Sequence, residues 1–487
     1  MSIPRFLAGV FLLCLIMAGS LYAERPKSAA DPAWNSVGLC LFMARSLFSQ
    51  KTESAVEQPP PSERVAAQPP PSKNAAAPPY TFTHTFTTRG QLTGRLPDKD
   101  ALFYDSESNL AIGRLLASAE VGAKYKHISL TVKDTAVLSS AGVQGVGTRY
   151  TDYYNQESYL SLDVFEALPI RIGKVNQAGG VSYASNPVDY FRQNSTIFGP
   201  EADNQHQREM RPGAYMVKAD WFLPKVTLTG VFAPRITSDG REWAGNQSDQ
   251  YLLKASLSAF QDYNPEFLFY WGADSPHFGL DWTGSLTEKA ILQFELSTAQ
   301  GSNVQPVALN PAAPQTSLQD FSPRSDAKWY TRAVLGINYM LPKQINFIGE
   351  YIYRQDGLSA DEIETHSRFL DTSRRFSADP TLGNMRGLYK SYYGQAVAAY
   401  DPSNLARSYL FLRVSRDNLG SQKLNGSCNF NLNLEDFSAV VYPRLDYLIN
   451  GHFTASGGIY SFWGKRYSEF GWVPDRLRVV VELTRYF

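Results

Sequence analysis

From Tyr80 to its last residue the chain alternates apolar and polar side chains in stretch after stretch, and the connections between stretches are short and long in turn. "YTFTHTFTTRGQL" puts Tyr80, Phe82, His84 and Phe86 on one face. "HISLTVKDT" sets Ile128, Leu130 and Val132 against Ser129, Thr131 and Lys133, and "FGLDWTGSL" sets Phe278, Leu280 and Trp282 against Asp281 and Thr283. "AYMVKADWF", "LQFELS", "NFIGEYIYR" and "YLFLRVSR" repeat the pattern. A soluble sandwich alternates too, so the connections decide. Short ones fall at Gly122–Lys126, Glu166–Leu168, Leu223–Lys225, Gln261–Pro265, Ser285–Lys289, Leu341–Gln344, Asp401–Ala406 and the hairpin pair Asn450-Gly451. Between them lie 95–108, 139–156, 176–212, 237–250, 273–277, 300–327, 357–391, 417–434 and 464–476, of which only 273–277 is short. Short turns on one rim and long loops on the other predict an all-β, transmembrane, antiparallel up-and-down β-barrel. It is expected to span 80–487 with about eighteen strands, sixteen being the alternative count. Pro443 interrupts one of these strands and predicts a bulge or an extra turn there.

Both ends of the chain fit a barrel. "RLRVVVELTRYF" stops on an aromatic, with Leu477, Val479, Val481, Leu483 and Phe487 on one face. A closing strand must pair with the first to leave no open edge in lipid. "MSIPRFLAGVFLLCLIMAGSLYA" reads as a secretory signal peptide over residues 1–23, with Arg5 before an apolar run too short to span a bilayer. Residues 24–79 repeat QPPPS at 58–62 and 68–72, a Pro- and Ala-rich composition that cannot pack a core and reads as a periplasmic tether.

Composition narrows the class. The 487 residues include 28 Tyr, 28 Phe and 8 Trp, and mean hydropathy is −0.28, too polar for a helical membrane protein. Forty-six basic residues balance 46 acidic ones, which gives no field for nucleic acid. Cys40 and Cys428 are expected on opposite sides of the membrane, so no disulfide framework exists.

Two stretches, "LPIRIGKVNQAGGVSYASNPVDYF" at 168–191 and Asn431–Phe487 with "NLEDFSAVVYPRLDYLINGHF" and "SEFG", resemble a broad group of Gram-negative outer-membrane porin-like β-barrels. The terminal Phe487 resembles the signal read by the barrel-assembly machinery, with Arg485 as a departure from it. The resemblance implies the outer membrane as location, and lipid and lipopolysaccharide as surroundings. It also leaves room for a homo-oligomer.

A barrel of this size leaves an aqueous channel, and a charge facing lipid near mid-bilayer costs roughly 2–4 kcal/mol. Charged residues on the polar faces are therefore expected to line the lumen. The basic candidates are Arg114, Lys133, Arg171, Lys218, Lys254, Arg332, Arg354, Arg413, Arg444 and Arg478. The acidic ones are Glu120, Asp163, Asp220, Asp281, Glu295, Glu350, Asp446 and Glu482. Near balance predicts weak ion selectivity. The third long connection carries Asp189, Arg192, Glu201, Asp203, Arg208, Glu209 and Arg211, mixed signs suited to a constriction, with an outward loop as the alternative. In 357–391, Arg368, Arg374 and Arg375 could clamp an anionic sugar or a lipopolysaccharide phosphate, a solvated loop being the alternative.

The six histidines show no metal spacing, and no nucleophile elbow or P-loop appears, so neither enzyme nor cofactor is expected. The expected function is passive diffusion of small hydrophilic solutes or ions. The alternatives are a dedicated polymer (exopolysaccharide) or hydrophobic-substrate barrel, and a protein anchored through its tether to peptidoglycan or a periplasmic partner.

Overall fold

The computed structural model describes residues 80–487 apart from 104–110, 144–145, 166, 195–207, 209, 237–245, 247, 259–262, 273–274, 303, 305, 310–317, 322–326 and 400–403. The signal-peptide and tether readings lie outside the described residues.

Alternation becomes wall. The strands are β1 (Tyr80–Pro97), β2 (Ala111–Tyr125), β3 (Ile128–Val143), β4 (Val146–Phe165), β5 (Leu168–Val175), β6 (Ala214–Phe222) and β7 (Val226–Ala233). They continue with β8 (Gln250–Leu257), β9 (Glu266–Gly272), β10 (Ser275–Thr287), β11 (Ala290–Gln300), β12 (Val307–Leu309), β13 (Leu318–Phe321) and β14 (Trp329–Leu341). The last are β15 (Ile345–Arg354), β16 (Ser408–Arg416), β17 (Leu424–Asn433), β18 (Ala439–Asn450), β19 (Phe453–Trp463) and β20 (Asp475–Tyr486). Among the described residues, all but β12 and β13 form one eighteen-stranded antiparallel sheet, and β1 pairs with β20 to close it. Closure satisfies both edges along the seam, as a sheet in lipid requires. No described helix is long and apolar enough to cross a membrane.

The register gives each strand an outer and an inner face. Phe267, Trp271, Phe278, Leu335 and Tyr351 stay exposed on the outside, and Phe269 meets Phe278 across β9 and β10 with ring centroids 5.3 Å apart. Arg485 lies with its guanidinium 4.0 Å from the centre of the Phe487 ring and 5.4 Å from that of Phe453, so a cation–π contact accommodates it at the chain end. At the short-turn rim, Asn450 Oδ1 accepts the N–H groups of His452 and Phe453 at 2.8 and 3.0 Å, which shapes the Asn-Gly hairpin.

The structure corrects the reading between 357 and 434. The sequence places a strand after residue 391 and a turn at Asp401–Ala406; the chain instead builds two helices, α1 (Ala360–Ala378) and α2 (Met385–Ala399), within one connection. Tyr389 and Tyr392 mimic strand residues by composition, yet they pack at helical spacing on Phe376 (4.9 Å) and Phe369 (5.7 Å). The span 417–434, read as a loop, contains β17, whose asparagines run against strand propensity. One strand gained and one lost leave eighteen. Pro443 makes neither a bulge nor a turn: the β18–β19 ladder skips Tyr442 and Pro443 and resumes in the same register at Arg444 opposite Gly458.

Candidate functional site: the loop-filled interior

Many inward-facing charges have an opposite charge as neighbour, on the same strand or the next. Glu120 stands opposite Lys133, and Lys133 opposite Glu157. Arg444 binds Asp446 and Glu482, each at 2.9 Å, and Gln91 donates to Glu482 at 2.8 Å. Arg478 and Arg95 share Asp475 at 2.7 and 2.6 Å. Lys254 holds Glu266 at 3.0 Å, and Lys218 lies 3.5 Å from Asp220. Arg171 stands opposite Lys218 and over the Tyr159 ring. Arg114 sits between Gln91 and Ser139, and Asp163 opposite Pro169 near the short-turn rim. Near the other rim Arg332 reaches Asp356 at 2.5 Å and Arg354 lies at 3.9 Å from it. Burial by itself would raise the Asp356 carboxyl, but the two arginines outweigh it and hold it down at about 2.

Three carboxylates stand in a row across β9, β10 and β11: Glu266 opposite Asp281, and Asp281 opposite Glu295. Glu295 and Glu350, 0 % and 1 % exposed, hold the third long connection. Glu295 Oε1 accepts the N–H groups of Val181 and Ser182, both at 2.6 Å, and Asn186 Nδ2 at 3.1 Å. Glu350 accepts those of Tyr183 at 2.5 Å and Ala184 at 2.8 Å. A buried carboxylate is tolerable only with such donors, and charge-assisted bonds of this kind are the strong ones. The connection therefore folds inward onto the wall. Gly180 makes the approach possible: its φ is +84°, and a Cβ there would lie 2.7 Å from both Glu295 oxygens.

Other residues of this connection brace it. Arg211 grips the buried Asp189 at 2.7 and 3.0 Å and also bonds Asn176 and Gln177. Arg208 donates to the Gly179 and Gly180 carbonyls. Asp189 and Arg208 thus bind their own loop, whereas Arg192 is half-buried beside them. Glu201, Asp203 and Glu209 lie outside the described residues.

The second inserted element was missed in the sequence. Helix α1 starts in a capping box, Ser359 with Glu362, a signal present in "SADE". Its buried face, including Ile363 and Leu370, joins Leu102, Leu358 and Trp472 and the inward-facing Val334, Ile352, Tyr409 and Phe411 in one core. Ser367 accepts Trp472 Nε1 at 2.8 Å, and Asp371 takes Arg466 at 2.8 Å and Tyr467 at 3.1 Å. Burial opposes ionisation of Asp371, but Arg466, Tyr467 and Arg375 together hold its carboxyl below the usual range. His366, stacked 5.4 Å from Trp472, is lowered to about 4 by burial. Of the loop arginines, Arg374 binds the Ala101 and Leu102 carbonyls, Arg375 faces Asp371, and Arg368 holds Glu364. They are not gathered into a clamp.

The "NLED" and "SEFG" stretches also meet: Glu469, fully buried, accepts Tyr409 at 2.9 Å and Asn433 at 2.8 Å, and its own N–H reaches Asp436 at 2.7 Å. Beside the in-folded connection lies a polar cavity of about 720 Å³, bordered by Lys133, Glu157, Arg208, Gln293, Asn346 and Arg413 among others. Among the described residues no group of three or more His, Cys, Asp or Glu side chains is placed to hold a metal.

No protein-family model matches the chain, and no curated protein matches it. Solved structures do. Acinetobacter baumannii OccAB1 aligns with a TM-score of 0.50 and 7 % identity, over 83 % of this chain and 96 % of that one. Pseudomonas aeruginosa OccK11 (OpdR) gives 0.48 and 9 %, over 83 % and 96 %. Salmonella typhi OmpF in complex with daunomycin gives 0.42 and 8 %, over 83 % and 97 %. The likeness to OccAB1 is one of fold: the resemblance to porin-like barrels holds in architecture across most of the chain.

Proposed function

We propose that the protein is an outer-membrane channel for passive diffusion of small hydrophilic solutes or ions. The observation that carries this reading is the polar cavity of about 720 Å³ beside the in-folded connection, inside a closed barrel of eighteen strands. Charges of both signs border it, Lys133, Arg208 and Arg413 with Glu157, and the near balance of acids and bases over the whole lining set is the basis for weak ion selectivity. The candidate lining set is Arg114, Lys133, Arg171, Lys218, Asp220, Asp281, Glu295, Glu350, Arg354, Arg413, Arg444, Asp446 and Glu482, and the in-folded connection is the constriction. Two inserted elements disfavour a polymer exit.

In this reading the short-turn rim faces the periplasm, where residues 24–79 tether the barrel after signal peptide 1–23 is removed. Phe487 serves assembly. Lipid and lipopolysaccharide surround the wall, a homo-oligomer is compatible with it, and the tether is free to engage peptidoglycan or a periplasmic partner. Purified protein in a planar bilayer tests the reading: discrete, steady single-channel steps are expected. A silent bilayer at verified insertion overturns it and moves weight to anchoring.

A further inference from the structure

The seam that closes the wall runs from Thr87 to Pro97, and β1 begins before it. Tyr80–Phe86 pair with β2, from Tyr125 to Ala119, without a bulge, but no described strand lies along their other side. All of Tyr80–Phe86 are exposed, and exposure falls at Thr87, where β20 starts to pair. The seam ends on a bond from Phe487 N–H to the Phe86 carbonyl at 3.0 Å, with the two rings 5.0 Å apart. That bond fixes a direction. Backbone groups of alternate residues point the same way, so Tyr80, Phe82 and His84 turn their N–H and C=O groups to the open side.

Natural edges are blunted by Lys, Pro or a bulge. "YTFTHTF" has none of these and exposes Tyr80 and Phe82 on its outer face. A flat apolar edge of this kind is a template for one more strand.

A second copy in the same membrane does not fit it. The two-fold relating them runs along the membrane normal and sets identical residues at equal height, N–H against N–H, whereas a parallel ladder needs an offset. Residues 24–79 do fit, because they enter the sheet at Tyr80 itself. Proline has no N–H to give a ladder, which removes the runs at 59–61, 69–71 and 78–79. "VGLCLFMARSLF" at 37–48 is proline-free, and its Val37, Leu39, Leu41 and Met43 alternate with Gly38, Cys40, Phe42 and Ala44. Covering 80–86 takes about 23 Å of strand, and residues 49–79 are ample to return the chain from there to Tyr80.

We propose that residues 37–48 add to the open edge of β1 as an antiparallel strand, in line with β20, and so dock the tether on the barrel. Leu39 and Leu41 then stand on the outer face beside Phe82 and His84. Cys40 falls on the inner face opposite Thr81, Thr83 or Thr85, in the kind of pair whose side chains approach closest. This rests on the tether reading above and not on conduction.

The test uses the purified full-length protein carrying Cys428→Ser, so that Cys40 is the thiol left once the signal peptide is removed. One further change is added: Thr81→Cys, Thr83→Cys, Thr85→Cys or, as control, Thr287→Cys, an exposed position at the short-turn rim nine wall strands away. After mild oxidation, mass spectrometry of digests counts disulfides to Cys40. One of the three β1 positions should bridge at least about tenfold more than Thr287→Cys, beyond what a loosely tethered thiol achieves. Adding Leu41→Pro, which removes a ladder N–H, should return that yield to the control level while the heat shift of the folded barrel on gels persists. Equal low yields at all four positions mean a wandering tether and overturn the inference. Bridges between two molecules overturn it in favour of a second copy, and a preference that survives Leu41→Pro overturns the strand. An intact mass lacking 37–48 removes the tether reading and this inference with it.

Discussion

The ring of Tyr183 stacks on Phe411 with centroids 5.5 Å apart and planes at 23°. Tyr183 belongs to the in-folded connection and Phe411 to the core that carries α1. Arg413 lies 4.8 Å from the centre of the same tyrosine ring and bonds its hydroxyl. One side chain thus ties the two inserted elements together inside the barrel.

Removing the anchor of the first element should open the pore. Glu295→Ala leaves the Val181 and Ser182 N–H groups without their acceptor, a loss of roughly 1.5–3 kcal/mol per charge-assisted bond. Single-channel conductance is expected to rise and become noisy. Glu295→Gln, which retains one acceptor oxygen, should fall between that variant and the wild type. Unchanged conductance in the alanine variant would mean that the connection is held by Glu350 and Arg211 alone.

Gly180→Val reaches the same anchor from the opposite side. Its Cβ would collide with both Glu295 oxygens and with Asn186 Cβ at 2.9 Å, in a φ region hostile to branched residues. The expected phenotype copies Glu295→Ala. Combining the two should add little, since both break one contact; a fully additive rise in conductance would refute the shared cause.

Acid should loosen the helical cap. His366 is neutral when packed on Trp472, with its pKa lowered to about 4 against 6.5 when unfolded. Between these values the unfolded cap binds more protons, so its stability falls as pH drops from about 6.5 towards 4, by up to about 1.4 kcal/mol per pH unit. Protease accessibility of 360–399 should rise over that window. His366→Phe should flatten the profile, and a variant with the wild-type pH dependence would assign it elsewhere.

Replacing 360–399 by a short Gly/Ser linker tests whether the cap belongs to the wall or only sits in it. All eighteen wall strands pair without it, so the variant should still shift with heating on gels as folded barrels do. Its conductance is expected to exceed that of the wild type. Failure to fold would instead make the core around Trp472 a requirement for closure.

How much of this was legible beforehand follows from the range of the interactions. A two-residue period is local, so most of the strands, the closing role of "RLRVVVELTRYF" and the side of the wall on which Arg413 or Glu482 stands could be read directly from spacing, although 139–156, read as a long connection, is largely β3 and β4. The helices were signalled by the capping box at Ser359 but hidden by the strand-like composition around Tyr389 and Tyr392. β17 was hidden because asparagine is costly against lipid or core yet free of that cost towards a wet lumen.

What alternation alone determined, then, was a closed sheet with apolar side chains out and charges in, because lipid leaves no edge and no charge unsatisfied. What only the tertiary structure decided was how the interior is filled. Glu295 meets Val181 across 114 residues of sequence and Tyr183 meets Phe411 across more than 200. No local period encodes such contacts; they arise because a buried carboxylate and an inward aromatic must find partners, and closure of the barrel brings the loop within reach.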